Sequence, residues 1–98
     1  MNVNGYETKT TFWLDFSIAD RFGTRAIKDT YNRASLEWKT NAVYMTELVM
    51  VLNWKCWTWH QKNNTLCALY SDLYYKARDL ATTTLKGDDL SYFYRTTD

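Results

Sequence analysis

No proline interrupts this chain, and glycine occurs only at positions 5, 23 and 87. Proline and glycine are the strongest punctuators of local structure, so their scarcity suits helices joined by short turns. Ninety-eight residues leave room for one domain with a single modest core. The expected fold is therefore all-α: a compact bundle of about four helices spanning residues 1–98. Residues 1–9 read as a loose lead-in, and the C-terminus as a short aromatic segment. No repeat or low-complexity tract divides the chain.

Hydrophobic periodicity places the helices. The stretch "TTFWLDFSIADRFG" (10–23) predicts a short helix or two, with Ser17 and Asp20 spaced like a capping box and Gly23 placed as the stop. A second helix over about 25–39 puts Ile27, Tyr31, Ala34 and Trp38 on one stripe, with Arg25, Lys28, Asn32 and Lys39 opposite. A fourth helix over about 65–86 gathers Leu66, Leu69, Leu73, Ala77, Leu80 and Thr84 on its core face, flanked by Tyr70, Tyr74 and Ala81. Lys86 and Gly87 give it a basic last turn and a stop. In the tail, Leu90, Phe93 and Tyr94 are expected to fold back on the bundle.

The third helix, expected over 42–62, is different in kind. It contains "TELVMVLNWKCWTWHQKNN" and is apolar on two opposed faces. Met45, Leu48, Val49, Leu52, Cys56 and Trp59 form one face; Val43, Met50, Trp54 and Trp57 form the other. Thr46, Asn53 and His60 line one polar edge, and Glu47, Lys55 and Thr58 the other. A central helix sandwiched between its neighbours accounts for this pattern. So does a helix that reserves one face for a partner, because Trp and Met are enriched in protein interfaces. Five Trp, eight Tyr and four Phe are more than so small a core easily hides, since each buries roughly 150–250 Å². The candidate partner-binding residues are Met50, Trp54 and Trp57, with Tyr75 added from the polar side of the fourth helix.

Chemistry is harder to find. His60 is the single histidine, with no triad partners in motif spacing, while Asp72 and Asp79 are scattered along a helix. One His and two Cys without "CxxC" or "HExxH" do not make a metal set, and no glycine-rich phosphate loop occurs. Asp88 and Asp89 read as a helix cap. A protein without catalysis, metal or cofactor is expected. Cys56 and Cys67 read as free buried thiols of a reducing compartment. The polar opening "MNVNGYETKT" and the brevity of "LVMVL" suggest a cytoplasmic protein without a membrane span.

Twelve Lys/Arg against eleven Asp/Glu argue against a general polyanion binder. A local DNA-binding element is the alternative. "SIADRFGTRAIKDTYNRA" (17–34) starts like a helix-turn-helix, with Ala19 before a Gly23 turn, and would present Arg25, Lys28 and Asn32 to the major groove. Asp29 sits among them and would repel phosphate.

Three segments, "TFWLDFSIADRFGTRAIKDTYNRA", "TELVMVLNWK" and "LKGDDLSYFYRTTD", resemble short uncharacterised accessory proteins of Firmicutes conjugative elements, plasmids and prophages. The resemblance covers most of the chain and implies context without site residues. Non-enzymatic proteins of such elements often inhibit host defence, anti-CRISPR and antirestriction proteins among them. It implies a protein partner, with a CRISPR or other defence nuclease as the leading class. Closure of a homodimer through the same apolar face is a third reading.

Overall fold

The computed structural model describes residues 2–3, 6–38 and 41–97. Two short strands, β1 (Asn2–Val3) and β2 (Tyr6–Glu7), pair antiparallel, with Asn2 opposite Glu7 and Val3 opposite Tyr6. Five helices follow: α1 (Phe12–Ala19), α2 (Thr24–Trp38), α3 (Ala42–Trp59), α4 (Asn64–Thr84) and α5 (Asp88–Thr97). The all-helical expectation holds for the body of the chain. The helix count does not, because the segment after Gly87 forms a helix of its own where a short aromatic tail was expected. Asp88 and Asp89 lie in its first turn, where negative charge suits the helix dipole.

Local chemistry explains the boundaries. Asn41 caps α3 by accepting from the N–H groups of Val43 and Tyr44, and Asn63 caps α4 by accepting from Leu66 N–H. Gly23 joins α1 to α2 at φ +104°, a backbone region in which side chains with a Cβ are strained. A Cβ there would meet nothing within 4 Å, so the backbone angle alone makes the demand. Gly87, at φ +60°, turns the chain into α5.

α3 is the central helix, packed against α1, α2, α4 and α5. Its expected core face is buried at Met45, Leu48, Val49 and Leu52, with Cys56 and Trp59 half-buried. Ile27, Tyr31 and Ala34 of α2 are buried as their stripe predicts. The side chain of Trp38, and Lys39, lie outside the described residues. On α4 the buried face is rotated from the expected one. Tyr70, Ala77 and Ala81 are fully buried at its centre, whereas Leu69 is half-buried and Leu80 and Thr84 are exposed. Phe93 of α5 is fully buried, while Leu90 is half-buried and Tyr94 exposed.

The rotation of α4 has a polar cause. Tyr70 can sit at the core because its hydroxyl donates to the carboxylate of Asp20 at the end of α1. That carboxylate also receives Lys55 Nζ at 2.8 Å and Trp59 Nε1–H at 3.3 Å, both from α3. The Lys55 and Asp20 side chains are only 6% and 8% exposed. Asp20 and Ser17 therefore do not form a capping box. Ser17 donates to Trp13 C=O within α1, and Asp20 ends the helix. A carboxylate at a helix C-terminus opposes the dipole, so Lys55 supplies the compensating charge.

The other end of α1 is held by the same helix. Glu47, 1% exposed, accepts from the N–H of Lys9 (2.9 and 2.8 Å to its two oxygens) and of Thr10 (3.1 Å). It also accepts from Thr10 Oγ1 at 3.0 Å, and that hydroxyl in turn accepts from Phe12 N–H. The backbone is thus pinned at Lys9, the last residue of the expected lead-in, and at Thr10. The polar edge expected on α3 at Glu47 and Lys55 is likewise a buried seam under α1. Thr46, expected on the other edge, is buried with its hydroxyl returned to Ala42 C=O.

Two outcomes follow for stability. Asp20→Ala strips the counter-charge from a buried lysine and should cost about 3–5 kcal/mol in urea unfolding; a loss below about 1 kcal/mol would mean that Lys55 is not held by Asp20. Burial, then the adjacent Asp20 carboxylate, pushes the Tyr70 hydroxyl far above the ordinary tyrosine value of 10.0, and burial raises Tyr31 in the same direction. The folded state thus keeps these protons after the unfolded chain has released its own. Their contribution is complete below pH 10.0 and declines as pH rises above it. Tyr70→Phe should flatten that alkaline decline in a pH series of melting curves.

Candidate protein-docking surface

Met50, Trp54 and Trp57 lie at i, i+4 and i+7 along α3, on the side away from its buried face. Met50 is half-buried, and Trp54 and Trp57 are 36% and 66% exposed. Trp54 does not stand alone. The indole of Trp13 from α1 meets it edge-on at 5.5 Å between centroids, and Lys55 Nζ sits 4.8 Å from the centroid of the Trp13 ring. Because Lys55 is itself fixed by Asp20, the support beneath Trp54 runs back into the buried ionic cluster. Trp57 is the outermost ring of the row, with His60 edge-on at 5.3 Å.

Tyr75, grouped with these residues on sequence grounds, lies on α4. It is 65% exposed on the side of α4 opposite Leu66, Leu73 and Ala77, and its ring packs on Tyr74 at 5.1 Å. The neighbouring Tyr74 hydroxyl accepts from Arg78 at 3.3 Å. Three of the four expected residues thus share one side of α3, and the fourth is exposed on α4.

A second apolar surface was not anticipated. Leu14 and Ile18 of α1 and Phe22 of the turn after it, four residues apart, are exposed, Phe22 most of all. Ile18 and Phe22 join Asp15, Ala26, Asp29 and Arg33 in lining an open groove of about 560 Å³ between α1 and α2. The signal was present in the sequence: Phe12, Trp13, Leu14, Phe16, Ile18 and Ala19 surround the helix axis, and a single neighbouring layer covers only part of such a helix.

The residues weighed for DNA, Arg25, Lys28 and Asn32, are all exposed on the outer side of α2 directly after the Gly23 turn. Asp29 is exposed between them and faces the groove, with Arg33 one turn further along. His60 is exposed at the end of α3, and Asp72 and Asp79 are exposed on α4. Among the described residues no three His, Cys, Asp or Glu side chains converge as a metal site would require, and no helix is long and apolar enough to cross a membrane. Cys56 and Cys67, expected as buried thiols, are half-buried and face one another.

Comparison of the chain with protein-family models, curated proteins and solved structures finds no match. The surface must be judged by its own energetics. Trp57→Ala should leave unfolding stability within about 0.5 kcal/mol of the parent, as for an exposed site. Leu52→Ala, on the buried side of the same helix, should cost about 2–5 kcal/mol. Comparable losses for both in chemical denaturation would identify Trp57 as a core residue.

Proposed function

We propose that this chain is a non-enzymatic protein-binding module that docks its partner on the Met50, Trp54 and Trp57 row of α3. The observation that carries the reading is Trp57, a large indole left 66% exposed on a helix rigidly embedded in the core. Trp is the residue type most concentrated in interface hot spots, and a preorganised aromatic lowers the entropic cost of binding. Trp54, braced by Trp13, supplies a fixed platform beside it. The resemblance to accessory proteins of mobile elements makes a host defence nuclease, such as a CRISPR effector, the partner class to try first. Occlusion of the nuclease surface would then be the mode of action, with no bond made or broken by this chain.

One observation supports a second reading, binding to duplex DNA: Arg25, Lys28 and Asn32 share the exposed side of the helix that follows a glycine turn. The near-balanced charge and the intervening Asp29 weigh against it. The two readings separate in one experiment. A panel of purified CRISPR nucleases is titrated with the parent chain, with Trp54→Ala/Trp57→Ala and with Arg25→Ala/Lys28→Ala, reading both binding and target cleavage. Protein docking predicts at least a tenfold loss of affinity for the tryptophan variant and little change for the basic one. Binding to labelled duplex that falls steeply with salt and is lost in the basic variant would overturn the docking proposal. So would a stable dimer of the chain alone that the tryptophan variant dissolves, since the row would then be a self-interface.

A further inference from the structure

The two cysteines of the chain meet across the α3–α4 hairpin. Cys56 lies one turn before the end of α3, Cys67 lies near the start of α4, and the turn through residues 60–63 joins the two helices. Their sulfurs are 3.7 Å apart, a non-bonded contact. A disulfide needs about 2.05 Å, so closure requires the sulfurs to approach by about 1.7 Å from the observed 3.7 Å. That movement is within reach of side-chain rotation in two half-buried residues.

We infer that Cys56 and Cys67 form a redox-closable clasp that ties the end of α3 to the start of α4. A small-molecule disulfide is the oxidant. One cysteine thiolate attacks a sulfur of that disulfide, forming a mixed disulfide and releasing one small thiolate. The second cysteine then attacks the protein sulfur of the mixed bond, forming Cys56–Cys67 and releasing the second small thiol. Two protein thiols and one disulfide thus become one protein disulfide and two small thiols, which carry away both protons. Burial, then the adjacent Cys67 sulfur, pushes the Cys56 thiol above its ordinary value, against a weaker opposing hydrogen bond with Ser71.

The clasp encloses the turn beside Trp57 and His60, yet it stands on sulfur geometry alone and is independent of whether that surface docks a partner. The test uses the full chain, reduced and then incubated over a series of oxidised-to-reduced glutathione ratios. Intact mass, iodoacetamide-reactive thiols and the melting temperature are read at each ratio. The expected result is a monomer lighter by two hydrogens, without alkylatable thiol and with Tm raised by about 10 °C. Cys56→Ser and Cys67→Ser should instead each end as a single glutathione adduct without that rise. Intermolecular dimers, two glutathione adducts on the parent chain, or thiols that stay alkylatable at the most oxidising ratio would overturn the inference. A disulfide that forms with an unchanged or lower Tm would overturn it too, because closure would then not fit the native helix spacing.

Discussion

The buried contact between Lys55 of α3 and Asp20 at the end of α1 settles more of this structure than its size suggests. α1 is apolar around its circumference, so hydrophobic burial alone leaves its rotation poorly specified. Two polar anchors from α3 remove that freedom. Glu47 holds the backbone entering α1, and Lys55, with Trp59, holds the carboxylate leaving it. Between these points Phe12, Phe16 and Ala19 turn inward and Leu14 and Ile18 turn outward. Removing charges from water is costly, and a buried pair often adds little net stability over an apolar replacement. In the observed placement of α1 both ends find their polar partners on α3.

The same cluster reaches α4. Tyr70 donates to Asp20, and its ring meets Phe16 edge-on at 5.9 Å. One carboxylate thus touches three helices, and the buried face of α4 turns toward Tyr70 and Ala81 while keeping Leu66, Leu73 and Ala77 of the expected row. It also positions the surface. Lys55 lies over Trp13, Trp13 backs Trp54, and the exposed tryptophans therefore project from a braced frame. With α1 fixed in this rotation, its unburied apolar side becomes one wall of the groove against α2.

Helical character and much of the core were legible from sequence. The absence of proline and the stripes through Ile27, Tyr31 and Ala34 act within a few residues of themselves, so local pattern reports them directly. The two apolar faces of α3 were legible for the same reason. The errors concern polar residues whose partners are remote in sequence. Glu47 and Lys55 looked like a polar edge, yet their partners lie 35 or more residues away, just before and just after α1. Ser17 and Asp20 had capping-box spacing, but Asp20 had stronger donors waiting on α3 and α4.

By itself, then, the sequence determined that the chain is helical, where most helices begin and end, and that it carries more large aromatic surface than one core can absorb. Those properties follow from short-range hydrogen bonding, periodicity and surface-to-volume scaling. Tertiary structure decided which side of α1 and of α4 faces inward, which aromatics remain outside, and that two cysteines eleven residues apart meet at 3.7 Å. Each of those outcomes depends on where a buried charge or a sulfur finds its counterpart on another helix, and such distances are set only once the helices have packed.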